Sequence, residues 1–461
     1  MSSERSPFLW GAATSSHQIE GYNEHNDWWA WELQGKVDGG VRSGAATDHL
    51  HRFREDLRLA KDLGLNSYRF SFEWSRFEPK EGDWNSAACD WYHELLNECD
   101  RLDLMPMATL HHFTIPQWVA ERGGFTNSQT PSLFAKFVEK IASTFGARIP
   151  LWCTVNEPMV LVGGGYLGRF MPPSVFDPAG AANACLGLLK SHVLAYDILK
   201  STITSRTGPF SNRPLEVGFA HNMTHIKPER RFHPIESVTA RTLSYLHNDA
   251  WLEATNGEKQ KFGYLGLFPR AHELAVARNR RTFDFIGINY YTKALVRWRP
   301  RTLSENSVPE AKIGVSFARR HDLASDLDWA VHPHGFSLML DKLRRFNVPI
   351  YVTENGIADG DDRLRGEFIK SHLSVLAEQI QAGLDIRGYF HWSLLDNFEW
   401  IKGFWPRFGL YEVNYQTFDR KPRASALLYK KIISAHCGGA APQTEILNKI
   451  STAANEQLTG R

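Results

Sequence analysis

The chain has 461 residues, 43% of them apolar and 23% charged, with a formal net charge of +2, a globular composition that supports a large core and excludes a chain disordered throughout. The basic clusters Arg230-Arg231, Arg280-Arg281 and Arg297-Trp298-Arg299-Pro300-Arg301 are short and separated by acidic or apolar sequence. A nucleic-acid footprint needs a continuous basic face, so no nucleic-acid partner is expected.

No segment is long and apolar enough to span a membrane, and Met1 to Pro7 leads into Phe8-Leu9-Trp10 without the apolar run of a signal peptide. The cysteines Cys89, Cys99, Cys153, Cys185 and Cys437 are odd in number and lack the spacing of a zinc or redox motif. Free thiols, no membrane partner and a cytoplasmic location are the expectation.

In chain order, strand-like apolar runs fall at Phe8–Thr14, Ser67–Phe72, Met105–Leu110, Leu151–Val155, Glu216–Ala220, Phe283–Ile288, Ile350–Thr353 and Gly388–Trp392. Helical patterns fill the gaps. His51–Leu63 carries Phe53, Leu57, Ala60 and Leu63 on one face and stops at Gly64. Thr130 reads as an N-cap with Pro131 in the first turn, ahead of an apolar face of Leu133, Phe134, Phe137, Ile141 and Phe145. Leu186–Leu199, Pro333–Phe346 and Glu367–Ala382 have the same character.

Eight such alternations predict an α/β chain folded as a closed (β/α)8 TIM barrel, a single domain with long βα loops spanning 1–437 and followed by a polar tail, 438–461. The tail reads as disordered or lightly packed. No Gly-x-Gly-x-x-Gly follows the first strand, which excludes a dinucleotide sheet. Irregular stretches at Asn23–Thr47, Gly163–Ala182 and Arg297–Leu327 each follow a strand, where loops build a barrel's mouth. The Asn-Met-Thr sequon at Asn222 falls within a strand and reads as chance.

The residues at the strand exits are polar or aromatic: Gln18 and Glu20, Arg69 and Glu73, His111 and His112, Asn156 and Glu157, Asn289, Tyr290 and Tyr291, Glu354 and Asn355, then Trp392, Asp396, Glu399 and Trp400. Any one of them has an ordinary structural explanation. As a set converging on one mouth, carboxylates, amides and an imidazole can bond adjacent hydroxyls while indoles pack on a pyranose face. Glu157 and Glu354 supply the paired carboxylates of a glycosidase, retaining or inverting according to their separation, which sequence does not measure.

Thr154-Val155-Asn156-Glu157-Pro158 and Val352-Thr353-Glu354-Asn355-Gly356 resemble the acid/base and nucleophile motifs of the family 1 glycoside hydrolases. Phe8-Leu9-Trp10-Gly11-Ala12-Ala13-Thr14, Gln18-Ile19-Glu20-Gly21, Tyr68-Arg69-Phe70-Ser71, Ile288-Asn289-Tyr290-Tyr291 and Trp392-Ser393-Leu394-Leu395-Asp396-Asn397-Phe398-Glu399-Trp400 extend the resemblance over residues 7 to 435.

The resemblance implies a retaining, exo-acting β-glucosidase working by double displacement, with transglycosylation as a competing outcome and with neither cofactor nor metal. Glu354 would be the nucleophile and Glu157 the acid/base. Arg69 and Tyr291 would hold Glu354, and Gln18, His112, Asn156, Asn289, Trp392, Glu399 and Trp400 would bind the sugar. Its partners would be β-glucosides and short β-linked oligosaccharides, with galactosides and fucosides admitted.

Glu399-Trp400 resembles the neutral-sugar pocket rather than that of the 6-phospho-glycosidases. Met159 and Trp329 would line the leaving-group side. Phe113 and the His111-His112 pair depart from the family's commoner residues, as does Gly168-Arg169-Phe170-Met171-Pro172. Two other readings are a catalytically silent sugar-binding barrel, weakened by the presence of both glutamates, and a metal-dependent barrel hydrolase prompted by His111-His112 and His332-Pro333-His334. Adjacent strand residues face opposite ways, so His111 and His112 could not share one ion.

Overall fold

The computed structural model describes residues 7–258, 279–298, 313–436 and 440–447. Cys437, Arg299 to Arg301 and most of the 438–461 tail lie outside them.

Eight parallel strands, β1 (Leu9–Ala13), β2 (Ser67–Ser71), β3 (Met105–Thr109), β4 (Leu151–Asn156), β5 (Glu216–Asn222), β6 (Phe285–Tyr290), β7 (Ile350–Asn355) and β8 (Ile386–Trp392), close into a barrel. Each pairs with its sequence neighbours, and β8 returns to β1. All eight coincide with the predicted runs to within a few residues.

Alternation along the strands divides the apolar residues between two cores. Leu9, Met105, Met107, Leu151, Cys153, Phe285, Tyr351 and Phe390 fill the barrel, while Trp10, Tyr68, Phe70, Trp152, Phe219, Ile286, Ile288 and Val352 pack outward against the helices. Gly11 lies on the inner side, where a Cβ would stand 2.3 Å from the Phe390 ring.

The helix His49–Asp62 ends as its sequence requires, with Gly64 at φ +82°. Thr130 is not the cap of the helix Thr130–Phe145. Gln129 takes that position, and a short turn at Gly124–Thr126 brings the Gly124 carbonyl to within 2.6 Å of the Thr130 hydroxyl, which donates to it. The helix Pro178–Thr202 begins inside the stretch expected to be irregular.

Part of the 297–327 stretch is also ordered: Ile313–Ser316 pairs with Lys293–Trp298, which pairs with His225–Pro228 in a small sheet outside the barrel. At the opposite pole the Trp10 indole donates to the Ala440 carbonyl at 3.0 Å, and Leu447 is buried. Residues 440–447 are thus lightly packed, with a short helical segment at 444–447. Among the described residues no helix is long and apolar enough to cross a membrane.

The barrel positions the site through its register. Regular pairing breaks between Cys153 and Asn156 on β4 and between Val352 and Glu354 on β7, immediately before the two acidic motifs. Such irregularities re-aim the side chains that follow them.

Candidate active site

Glu354 is the fifth residue of β7 and is buried. Its Oε1 accepts from Arg69 Nη1 at 2.5 Å and its Oε2 from the Tyr291 hydroxyl at 2.5 Å. Arg69, wholly buried on β2, also donates to the Thr353 carbonyl at 3.2 Å, Thr109 Oγ1 at 3.2 Å and Asn156 Oδ1 at 2.8 Å. The guanidinium's rigid fork thus spans β2, β3, β4 and β7. Burial pushes the Glu354 carboxyl above its ordinary pKa, and the Arg69 charge and Tyr291 hydrogen bond pull against that shift.

Glu157 follows β4 in the left-handed region, φ 45°. Its N–H donates to the Ala220 carbonyl at 2.8 Å, and Pro158 opens the short helix Pro158–Gly163 behind it. This turn directs a buried carboxyl into the mouth beside Glu354. Burial first, and the Glu354 charge second, push its pKa up to about 8. Amides rather than a cation hold it: Asn289 Nδ2 donates to Oε1 at 2.8 Å and Asn222 Nδ2 to the same oxygen at 3.1 Å. The pair is therefore asymmetric, with an arginine-held carboxylate beside a carboxyl that keeps its proton at neutral pH.

The two acids belong to one network. Asn289 Nδ2 reaches Asn156 Oδ1 at 3.2 Å, and its own Oδ1 accepts from Thr353 Oγ1 at 2.6 Å. Asn156 Nδ2 donates to His112 Nε2 at 3.2 Å, which places the imidazole proton on Nδ1. Burial and the nearby Arg69 hold His112 well below its ordinary pKa, so it is neutral. Its ring is near-parallel to those of both Trp392 and Trp400, with centroids 6.1 Å and 6.2 Å away.

Trp392 Nε1 donates to Glu399 Oε1 at 3.2 Å. Burial, reinforced by the Glu354 charge, raises Glu399 to about 8, so that near neutrality it can both donate to and accept from a hydroxyl. Gln18 is fully buried. Its Nε2 donates to Asn397 Oδ1 and the Phe398 carbonyl, both at 2.9 Å, and its Oε1 accepts from Ser15 at 2.6 Å with one lone pair left over.

Trp329 is half-buried, edge-on to Tyr291 at 5.7 Å. Met159 is also half-buried, but its sulfur sits 4.0 Å from Cys185 on the helix Pro178–Thr202, outside the hydrogen-bonded network.

Other exit residues turn away from the mouth. Glu20 pairs with Arg76 at 2.9 Å and accepts from Tyr92 at 2.6 Å, and Glu73 accepts from Ser16, Ser75 and Thr114. His111 packs on Phe125 and Phe134. Tyr290 donates to the His332 carbonyl, Asn355 donates to the Tyr290 carbonyl, and Asp396 is held by Arg423 and Arg407. The site residue that sequence reasoning passes over is Asn222. Its only local mark is the sequon, while the contact that matters joins positions 65 residues apart.

Among the described residues no group of three or more His, Cys, Asp or Glu is placed to hold a metal ion. His225 and His332 do approach each other, at 3.1 Å, beside the small sheet. The arrangement can bond several adjacent hydroxyls, present one ionised carboxylate to an electrophilic carbon and offer a proton from a second carboxyl.

Comparisons with known proteins agree with this geometry. The family model described as "Glycosyl hydrolase family 1" matches residues 2–437. The chain is 30% identical to a β-galactosidase of Pyrococcus woesei, over 93% of its own length and 96% of the relative's, and 30% identical to β-glucosidase A of Acetivibrio thermocellus, over 92% and 97%. A solved β-glycosidase from Pyrococcus horikoshii superposes with a TM-score of 0.81 at 38% identity, covering 96% of each chain.

Proposed function

The chain belongs to glycosyl hydrolase family 1, and on that premise we propose that residues 1–437 form the catalytic domain of a retaining, exo-acting β-glucosidase that also accepts β-galactosides and β-fucosides. The observation that carries this reading is the asymmetry of the buried pair, with Glu354 held by Arg69 and Tyr291 and Glu157 held by amides alone.

In the first displacement Glu354 attacks the anomeric carbon, forming a covalent glycosyl-enzyme, while Glu157 gives its proton to the departing oxygen. As the Glu354 charge is consumed, one cause of the raised Glu157 pKa disappears. Glu157 can then act as base toward the incoming water or, when a sugar hydroxyl takes water's place, toward an acceptor. Asn156 is placed for the 2-hydroxyl, and Gln18, His112 and Glu399 for the others, with Trp392 and Trp400 as apolar walls.

A neutral glycone fits best. A phosphate dianion would need a cation, whereas the side chains that act most strongly on Glu399 are Trp392, Glu354, Asn397 and Asp396, all neutral or acidic. Trp329 supplies an aromatic wall on the leaving-group side, suited to β-glucosides and short β-linked oligosaccharides. Cys89, Cys99, Cys153 and Cys185 are free thiols, which favours a reducing, cytoplasmic setting.

The test is a proton NMR time course on p-nitrophenyl β-D-glucoside, with the galactoside, the fucoside and the glucoside 6-phosphate in parallel. β-Glucose released first, mutarotating later, with the phosphate ester untouched, supports the reading. α-Glucose released first overturns the double displacement, and turnover of the phosphate ester alone overturns the neutral pocket.

A further inference from the structure

Between the helices Pro234–Ser244 and Ala250–Thr255 the chain widens into a single π-turn, Tyr245–Asp249. Wide turns of this kind cluster at functional positions, because the extra residue re-aims the side chains around it. Here two consecutive residues of the turn grip the exit of β5. Asn248 clamps the backbone of Thr224, accepting from its N–H at 2.8 Å and donating to its carbonyl at 2.9 Å. His247 Nε2 donates to Asn222 Oδ1 at 3.0 Å.

Asn222 Oδ1 also accepts from Thr224 Oγ1 at 3.1 Å. With two donors on its oxygen, the Asn222 carboxamide turns its Nδ2 toward Glu157. Asn222 and Asn289 then both donate to Glu157 Oε1, and among the described residues neither donates to Oε2. A carboxylic acid whose one oxygen is filled by two N–H donors must carry its proton on the other.

We propose that His247, acting through Asn222, is a positioning residue for proton transfer: it fixes the Asn222 amide so that the transferable proton of Glu157 resides on Oε2. This deepens, and rests on, the reading of Glu157 as the acid/base. Were the Asn222 amide reversed, its oxygen would face Glu157 Oε1 and reward a proton there instead of on Oε2. Burial keeps His247 neutral, with its pKa lowered to about 4, so it serves as an N–H donor and not as a base.

The charged and titratable groups that face Glu157 are Arg69 from β2, Glu354 from β7 and Tyr291 just past β6, and the His221 ring lies 6.4 Å from His247. All of them stay in place in the variants below.

The experiment is a leaving-group series of aryl β-glucosides, from 2,4-dinitrophenyl to phenyl, run across pH on the full-length wild type, His247→Leu, Asn222→Ser, His247→Gln and Glu157→Gln. Phenoxide needs a proton to leave and 2,4-dinitrophenoxide does not. His247→Leu and Asn222→Ser should therefore lower kcat/KM about 5- to 10-fold on the phenyl glucoside, the worth of one hydrogen bond, and leave the dinitrophenyl glucoside nearly unchanged. The alkaline limb should move to higher pH, because the Glu157 carboxylate loses a fixed N–H donor. His247→Gln, which restores an N–H at similar reach, should recover both.

Equal losses on all leaving groups, or a limb that stays in place, would overturn the proposal in favour of a packing or leaving-group-binding role. Glu157→Gln separates the two levels. If that variant lacks a steep leaving-group dependence, the acid/base reading itself falls. If it has one while His247→Leu and Asn222→Ser follow wild type, only the positioning role falls.

Discussion

Two carboxylates at strand exits, Glu354 at the end of β7 and Asp396 after β8, are both buried beside arginine, yet they are built for opposite ends. Asp396 accepts from both Nη atoms of Arg423 at 2.9 Å and 2.8 Å, from Arg407 at 3.3 Å and from the N–H groups of Gly409 and Val413 at 2.9 Å and 3.4 Å. Its lone pairs are spent. Glu354 accepts a single short hydrogen bond on each oxygen, from Arg69 and from Tyr291. Both are carboxylates, buried, at the C-terminal end of a barrel strand and paired with arginine. What separates the proposed nucleophile from a structural anchor is the part of its hydrogen-bonding capacity left unfilled.

The largest break in this comparison is Glu354→Gly. Turnover of aryl glucosides should fall by roughly 10⁴-fold or more, and added azide should restore part of it by entering the vacated space, yielding an α-glucosyl azide detectable by NMR. Full activity without azide would remove the nucleophile assignment.

Asp396→Asn should act on the fold instead. It leaves Arg423 and Arg407 without their counter-charge, at a cost of about 3–5 kcal/mol in urea unfolding, while kcat/KM per folded molecule stays near wild type. A chemical defect with unchanged stability would show that the two carboxylates are not divided as described.

A pH profile sharpens the contrast within the catalytic pair. Glu157 must be protonated to act, and its pKa is pushed up to about 8, so kcat/KM should decline as pH rises through that value. Glu354 must be ionised, and burial raises its pKa, so the acid limb should lie above the ordinary glutamate range. Arg69→Met should move that acid limb further up. An unmoved limb would mean that Arg69 does not govern the ionisation of Glu354.

The smallest effect belongs to Trp329→Ala. KM for aryl glucosides should rise a few-fold, about 0.5–1 kcal/mol of aromatic contact, with kcat nearly kept. A fall in kcat alone would place Trp329 against Tyr291's catalytic support rather than the leaving group.

Much of the fold was legible because both periodicities are strong. Strands alternate between two cores, and helices such as His49–Asp62 carry their stop signal at Gly64. The period of two also set His111 and His112 on opposite faces, and the structure turns His111 into the apolar layer. Less legible was anything set by non-local geometry. Thr130 has the sequence of a cap, but the Gly124 carbonyl draws its hydroxyl elsewhere. Glu20, Glu73 and Asp396 stand at exits and are consumed by Arg76, by hydroxyls and by Arg423. Asn222 reads as an unremarkable strand residue because the partners that define it, Glu157 and His247, come from distant turns.

The register breaks before Asn156 and Glu354 carry a consequence for how such a protein can change. The relative placement of the two acids is written into strand pairing and into Gly356, where a Cβ would stand 1.8 Å from the Trp392 carbonyl, and not into the long segments that follow β4 and β6. On the proposed function, exchanging those segments by natural variation or laboratory recombination would change the preferred leaving group while leaving the placement of the two acids intact. Chemistry and substrate choice can evolve here as separate traits.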